Sequence, residues 1–420
     1  MVWSRTQDPQ RRKEQVATLS FSETPPDICD NNGPWAFPID AENQSLAESG
    51  RNIRTITLDI DFDGLTPLHN TRDEECIIDC IAVTGLNAHA FGSFKVRGGS
   101  FMWLRDNLPH DFHQAPIFTY GYDTQLVDST SFQNISDLAA AFCHILHNMR
   151  SQPGASTRSI VLMAHSLGGI LVKQALIQLS ESTDASYNNI LGSLKGVLFF
   201  GVPNQGMNIE SLLPMVGSNP YLQLLQTIGE KLNPAFLHDQ AQRFQMILDA
   251  KEFPIVSFYE TKMSPTAVFV DGRWQMSGPP EVLVNPTSAR HGRSFGSDVV
   301  PVNKSHSDMV KFDGPQDTVY YLVLHKLQNM REDGSWDQFH DRTRRVMKRI
   351  GKTYASFFQL REENPNPNAR IITGNTAMNI VFVPWVGFTL VVFFVMFWGG
   401  VFYGVKSLVN GTWTGPLGDA

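Results

Sequence analysis

One segment near the middle of the chain restricts its fold more than any other. Residues 159–163 are almost entirely apolar, and so is much of the run 170–176. Between them lies Ala164-His165-Ser166-Leu167-Gly168-Gly169, with small residues two positions before and two positions after the serine. This order predicts a buried strand that turns sharply into a helix. Small residues suit the turn because its strained backbone lifts Oγ of Ser166 out of the sheet.

Apolar runs elsewhere predict the rest of a sheet. The candidate strands, with helical segments between most of them, are residues 55–60, 77–83, 117–120, 159–163, 196–200 and 255–259. Strands that are apolar throughout and alternate with helices indicate a mainly parallel sheet with helices on both faces. Together with the turn at Ser166, this pattern predicts an α/β-hydrolase fold.

The length of 420 residues leaves room for attachments to one large domain. We expect this domain at residues 51–335, with a helix-rich insertion at 204–252 that either covers the site or packs as an ordinary helical pair. Residues 1–50 are rich in Pro, Asn, Asp, Ser and Glu, so they are predicted to be disordered or loosely attached. No apolar stretch follows the early charges, and no cleaved secretory signal is predicted.

Charge and cysteine content exclude several function classes. A net charge of -7 gives no general attraction to nucleic acid, so nucleic acid is not expected as a partner. The four cysteines include no CxxC and favour neither a disulfide framework nor a zinc site, as in a reducing compartment. His144 and His147 share a predicted helix at 137–149, but no third ligand is evident. No metal and no cofactor is therefore predicted.

The C-terminal region predicts a membrane segment. Residues 377–405 are almost wholly apolar, and no charged residue lies between Arg370 and Lys406. Since about 20 residues cross the hydrocarbon core, we expect one transmembrane helix here. A buried core helix is the weaker alternative, because the segment is apolar on every face.

The flanking segments complete this expectation. With only the short tail 406–420 after it, the helix is predicted to be a single-pass tail anchor that leaves the catalytic domain in the cytosol. Which organelle carries it stays open. Residues 336–370 are predicted to form a basic amphipathic helix and linker, which either lies on anionic lipid or packs on the sheet.

Ser166 needs a general base to act as a nucleophile. In this fold the catalytic residues follow the order serine, acid, histidine. His306 is the favoured base because it follows the apolar run 299–302 near the end of the domain, and His291 is the competitor. His165 is too close to Ser166 in sequence to turn its ring onto Oγ.

The acid is expected between the serine and the histidine, directly after a strand. Glu260 ends the apolar run 255–259, whereas Asp271 and Asp298 lie in less defined surroundings. The predicted catalytic residues are therefore Ser166, His306 and Glu260, with Glu260 fixing the tautomer of the imidazole.

An oxyanion requires backbone N–H donors beside the nucleophile. Leu167, which follows Ser166, is one predicted donor. The other is expected in the loop after the strand at 77–83, where Gly85 gives the backbone room or simply ends the strand. Leu86 is the favoured donor of that loop, and Asn87 is the next.

Several motifs, in order over residues 75–330, resemble the lipase-like serine esterases. The subgroup is the one related to the serine-active-site protein of phosphatidylglycerol remodelling and to hydrolase domains of fungal NACHT and TPR signalling proteins. Family members often have His where Thr84 stands and Gly where Ala164 stands. The motifs are Val83-Thr84-Gly85-Leu86-Asn87, Met102-Trp103-Leu104-Arg105-Asp106, Tyr120-Gly121-Tyr122, Ala164-His165-Ser166-Leu167-Gly168-Gly169, Val172-Lys173-Gln174-Ala175-Leu176, Phe199-Phe200-Gly201-Val202-Pro203 and His306-Ser307-Asp308-Met309-Val310-Lys311-Phe312.

The resemblance implies an acyl-ester or lipid substrate. We therefore expect a membrane-anchored serine hydrolase that cleaves or transfers an acyl group through an acyl-enzyme. Because fold alone does not decide function, the alternative is a membrane-tethered signalling or accessory protein that keeps the fold without turnover.

Overall fold

The computed structural model describes residues 6–7, 15–18, 34–38, 55–69, 76–152, 154–231, 234–331, 378–385, 388–397 and 400–407. The chain divides into two compact units, Met1–His340 and Asp341–Ala420.

Strands and helices alternate through most of the first unit. The strands are β1 (Thr6–Gln7), β2 (Gln15–Val16), β3 (Trp35–Pro38), β4 (Thr55–Leu58), β5 (Gly64–His69), β6 (Ile78–Val83), β7 (Ile117–Gly121), β8 (Ser159–His165), β9 (Leu194–Phe200), β10 (Ile255–Glu260), β11 (Ser264–Val270), β12 (Arg273–Glu281) and β13 (Val299–Val302). The α-helices are α1 (Trp103–Asp106), α2 (Leu108–Asp111), α3 (Ile135–Arg150), α4 (Leu167–Glu181), α5 (Ala185–Gly192), α6 (Leu213–Val216), α7 (Leu222–Thr227), α8 (Pro234–Ala250), α9 (Pro286–Ala289) and α10 (Thr318–Arg331).

The central sheet of the first unit has the strand order β5-β7-β6-β8-β9-β10-β13. All neighbouring pairs are parallel except β5 and β7, which run antiparallel. Every residue of β6 and β7 is buried, as the apolar runs predict. The predicted α/β-hydrolase fold with a mostly parallel sheet is therefore confirmed.

Apolar side chains cover both faces of this sheet. On one face α3 and α4 bury residues such as Phe142 and Leu171 in one core cluster. On the other face the core contains Trp103, Phe312 and Tyr320, and Nε1 of Trp103 donates to the Val310 carbonyl at 2.9 Å. Because helices and loops cover both faces, a site is expected at the carboxyl ends of the parallel strands, as in other open α/β sheets.

The first strands differ from the sequence expectation. Residues 55–58 form β4, which pairs with β3 and lies outside the central sheet. The edge strand is instead β5, which the sequence reading missed because Pro67 interrupts its pattern; proline is tolerated at a sheet edge. Short strands β1, β2 and β3 also lie within residues 1–50, so that segment is not wholly without structure, and its residues other than 6–7, 15–18 and 34–38 lie outside the described part.

An unpredicted hairpin follows the candidate acid. Strands β11 and β12 pair antiparallel, and the two residues between them, Asp271 and Gly272, have φ of 51° and 77°. Two successive positive φ angles match the tight hairpin turn for which Asp-Gly is a preferred sequence. Asp271 is therefore a turn residue.

The C-terminal unit corrects the predicted helix at 377–405. Its described residues form the antiparallel strands β14 (Met378–Trp385), β15 (Phe388–Phe397) and β16 (Gly400–Ser407). Valine and phenylalanine are common in these strands and favour extended pairing. Among the described residues, no helix has both the length and the apolar character needed to span a membrane. The predicted amphipathic helix at 336–370 lies outside the described residues, as does the tail beyond Ser407.

Candidate active site

Ser166 lies at the turn between β8 and α4. Its φ of 54° and ψ of -126° are unusual for a residue other than glycine, and such strain is common at functional positions. Two backbone hydrogen bonds hold the turn: Ser166 N–H donates to the Phe200 carbonyl at 2.9 Å, and Gly169 N–H donates to the Ser166 carbonyl at 3.0 Å. Ala164 is fully buried at the end of the strand, so the extra methyl group is accommodated in the core.

Three predicted site residues form one hydrogen-bonded chain. Nε2 of His306 lies 2.9 Å from Oγ of Ser166, and Nδ1 of His306 lies 3.0 Å from Oε1 of Glu260. Because a carboxylate only accepts, Nδ1–H donates to Glu260, which leaves Nε2 to accept the Ser166 hydroxyl proton. This is the tautomer that a general base requires.

The surroundings of Glu260 keep its carboxylate ionised. Burial favours the neutral acid, but attraction to the protonated form of His306 and hydrogen bonds from His306 and backbone N–H groups outweigh it, so the pKa of Glu260 lies below its ordinary value. One of these donors is the Val284 N–H, 3.1 Å from Oε1. The carboxylate can therefore stabilise an imidazolium at His306 near neutral pH.

Two further side chains hold the backbone of His306. Its N–H donates to Oγ of Ser264 at 2.9 Å, and its carbonyl accepts from Nε2 of His165 at 2.9 Å. Burial, followed by the nearby His306, lowers the pKa of His165 to about 3, so this ring stays neutral. His165 is not positioned as the base, as expected, but its contact with the His306 loop carries no signal in the sequence. The same is true of Ser264, the first residue of the unpredicted hairpin.

The competing candidates lie elsewhere. His291 packs its ring against Phe244, with 5.4 Å between centroids, and burial, followed by Lys173 and Arg293, lowers its pKa to about 3. Asp298 forms an ion pair with Lys326 at 2.7 Å.

The histidine pair considered for a metal also has other partners. Nδ1 of His144 lies 2.7 Å from the Tyr187 hydroxyl, and the His147 ring stacks on Tyr187. Within the part of the chain that the structure describes, no group of three or more His, Cys, Asp or Glu side chains could hold a metal ion.

The structure corrects one of the predicted oxyanion donors, Asn87. The N–H of Asn87 donates to the Thr124 carbonyl at 3.0 Å, so this amide is already engaged and does not face the nucleophile as a spare donor. Leu86 therefore remains the candidate of that loop. Leu167 is the first residue of α4, where N–H groups have no partner within the helix.

The chain is similar in sequence to the curated protein named Protein SERAC1 from several vertebrates. The Danio rerio protein is 27% identical over 235 residues, which cover 54% of this chain and 33% of the relative. The Bos taurus protein is 29% identical over 232 residues, covering 55% and 33%. This match confirms the resemblance to the lipase-like α/β-hydrolase subgroup, although the chain spans only about a third of the length of these relatives. No family model matches the chain.

Solved structures of lipolytic enzymes are distantly similar. A lipase from Bacillus licheniformis, BlEst2, is 15% identical with a TM-score of 0.34, over 59% of this chain and 91% of that one. Phospholipase PlaB from Legionella pneumophila is 13% identical with a TM-score of 0.36, over 53% of this chain and 48% of that one. TM-scores this low do not support an argument. The fold is therefore assigned from the strand order of this chain's own sheet, and its chemistry is argued from the residues of its own site.

A glycine after β9 gives a direct test of the His306 geometry. Gly201 and Gly217 both have φ of 55°, but a Cβ at Gly201 would lie 2.9 Å from Cε1 of His306, whereas a Cβ at Gly217 would meet nothing within 4 Å. We expect Gly201→Ala to slow labelling of Ser166 by a fluorophosphonate by about tenfold or more, because small displacements of a catalytic base are costly.

Gly217→Ala is the matched control, since it adds the same methyl group at the same φ without touching His306. It should label at the wild-type rate, with thermal unfolding measured for both variants. Equal loss of labelling in the two variants would mean that backbone strain, and not displacement of His306, is responsible.

Proposed function

We propose that this chain is a serine hydrolase that cleaves or transfers an acyl ester, with Ser166 as nucleophile, His306 as general base and Glu260 as its orienting acid. The observation that supports this most strongly is the continuous hydrogen-bonded chain from Oγ of Ser166 through His306 to Glu260, with steps of 2.9 and 3.0 Å. Hydrogen bonds of this length between nucleophile, base and orienting group are the signature of an activated serine.

The proposed first half-reaction forms an acyl-enzyme. Oγ of Ser166 attacks the acyl carbon while its proton moves to Nε2 of His306, and the oxyanion accepts hydrogen bonds from the N–H groups of Leu167 and Leu86. The ester C–O bond then breaks as His306 returns the proton to the leaving alcohol. In the second half-reaction water, or another hydroxyl compound in a transfer reaction, attacks the acyl carbon while His306 takes its proton. The bond between the acyl carbon and Oγ of Ser166 then breaks, and His306 returns the proton to Oγ, which releases the free acid or the new ester. Glu260 stabilises the imidazolium in both halves.

The substrate is proposed to be an acyl ester or a lipid. Support comes from the sequence motifs shared with lipase-like serine esterases and from the similarity to Protein SERAC1 over about a third of that protein. No cofactor takes part in the proposed reaction, because every proton transfer is assigned to side chains of this chain.

Substitutions at the three residues should behave as changes to one unit. Ser166→Ala and His306→Ala should each lower turnover of a dissolved short-chain ester by a factor on the order of 10³ or more, and the double variant should be little worse than either. Glu260→Gln should cost less, because the imidazole remains but loses its fixed tautomer. Steady-state kinetics on each purified variant measures these effects.

His291→Ala and Asp298→Asn are the controls, since each alters a competing candidate outside the hydrogen-bonded chain. Both should keep turnover near the wild-type value. Loss of activity in His291→Ala with retention in His306→Ala would reassign the base. A wild-type chain that neither turns over esters nor reacts with a fluorophosphonate would instead favour the accessory function without turnover.

We also propose that the apolar C-terminal segment attaches the chain to a membrane. The support is sequence chemistry alone: no charged residue lies between Arg370 and Lys406, and burying so much apolar surface in lipid is favourable.

Truncation tests the attachment. A chain ending at Arg370 should stay in the supernatant after carbonate washing of membranes and should still hydrolyse a dissolved short-chain ester, because the proposed catalytic residues precede the cut. A chain ending at Asn410 keeps the apolar segment and should sediment with membranes like the full chain. Sedimentation of the Arg370 chain would place the membrane attachment in another part of the protein.

A further inference from the structure

The motif Tyr120-Gly121-Tyr122 has no role in the mechanism above, yet one of its side chains reaches the oxyanion loop. The hydroxyl of Tyr122 donates to the Thr84 carbonyl at 2.9 Å. Burial, with Tyr221 and Tyr120 nearby, raises the pKa of Tyr122 well above its ordinary value, so the hydroxyl keeps the proton that it donates.

The Thr84 carbonyl is near both proposed oxyanion donors, Leu86 along the chain and Leu167 through the adjacent Gly168. It precedes Leu86 by two residues, and on its other side it packs against the first turn of α4, directly after Leu167. A Cβ at Gly168 would lie only 2.2 Å from this carbonyl oxygen, so the loop and the helix are in close contact there. The Tyr122 hydroxyl therefore fixes the point at which the loop meets the helix.

Thr124, two residues after Tyr122, holds the part of the oxyanion loop that follows Leu86. The Thr124 carbonyl accepts from Asn87 N–H at 3.0 Å, and Oγ1 of Thr124 accepts from Ala88 N–H at 3.1 Å. The oxyanion loop is thus bonded to the segment after β7 on both sides of Leu86. With its neighbours fixed, the Leu86 N–H has little freedom to change direction.

We propose that Tyr122 is a positioning residue for the oxyanion hole, holding the Leu86 N–H at a fixed distance and direction from the Leu167 N–H. This inference rests on the proposed hydrolase function. Oxyanion donors act by being preorganised before the charge develops, so a loop that relaxes loses transition-state stabilisation while substrate binding is little affected.

Tyr122→Phe in the full chain is the test, because it removes one oxygen atom and leaves the ring. We expect kcat for a dissolved short-chain ester to fall about 10- to 100-fold, approaching the cost of losing one oxyanion donor, with KM changed by less than about twofold. The inhibition constant of a trifluoromethyl ketone, which forms a tetrahedral oxyanion adduct on a serine, should rise by the same factor as kcat falls.

Tyr120→Phe is the matched control. It removes a hydroxyl from the same motif, and the Tyr120 ring stacks 5.8 Å from that of Tyr122, but its hydroxyl forms no hydrogen bond to the oxyanion loop among the described residues. Its kcat and inhibition constant should stay at wild-type values. An unchanged kcat in Tyr122→Phe, or a loss equal in both variants, overturns the positioning role.

Hydrogen exchange separates this inference from the proposed function. The amides of residues 84–88 should exchange faster in Tyr122→Phe than in Tyr120→Phe, whether or not the chain is an enzyme. Faster exchange with a catalytically silent wild type would support the contact and reject the proposed hydrolase. If the wild-type chain hydrolyses esters but the exchange of these amides is unchanged in Tyr122→Phe, the positioning role of Tyr122 is rejected and the proposed hydrolase function stands.

Discussion

The register of the parallel strands is the constraint on which the site depends. His165 is paired with Phe200, Phe200 with Phe258, and Glu260 with Val302. These pairings bring the ends of β8, β10 and β13 to one edge, where the serine, the acid and the histidine loop begin. A slip of one residue in any pair would turn side chains to the opposite face of the sheet and separate Glu260 from His306. Burial on both faces makes such a slip costly, so the core enforces the site geometry.

Burial determines how the charged and polar groups of the site interact. Ser166, Glu260 and His306 are each at most 5% exposed, which strengthens every hydrogen bond among them. A buried carboxylate is costly unless it accepts hydrogen bonds, and Oε1 of Glu260 accepts from both His306 and the Val284 amide, whereas Oε2 is buried and has no hydrogen-bond partner among the described residues. His165 lies beside His306, with 4.9 Å between ring centroids, but stays neutral, so this ring adds no positive charge next to the proposed base.

The sequence predicts structural elements correctly where neighbouring residues alone determine them. The strand, turn and helix around Ser166 are contiguous, and Glu260 directly ends an apolar run, so strand ends could be read without knowing the fold in detail. It failed where tertiary pairing decides. Residues 55–58 have strand character, but only the paired structure shows that they join β3 and that β5, despite Pro67, is the edge strand of the sheet.

Long-range contacts were beyond sequence reasoning for the same reason. The sequence offers Asn87 as an oxyanion donor, but in the structure its N–H donates to the carbonyl of Thr124, far along the chain. The support of His306 by Ser264 and His165 likewise joins residues that no periodicity connects. The apolar C-terminal stretch fits a helix by length alone, but its valine and phenylalanine content also suits the strands found there.

Mapping a covalent adduct tests the central claim most directly. The full chain is treated with a fluorophosphonate, digested, and sequenced by mass spectrometry across the peptide 159–173, which contains Ser159 and Ser166. The account predicts one phosphonyl adduct on Ser166, none on Ser159, and a rate of formation that falls at least about 100-fold in His306→Ala. An adduct on another residue, or formation at the wild-type rate without His306, would contradict it.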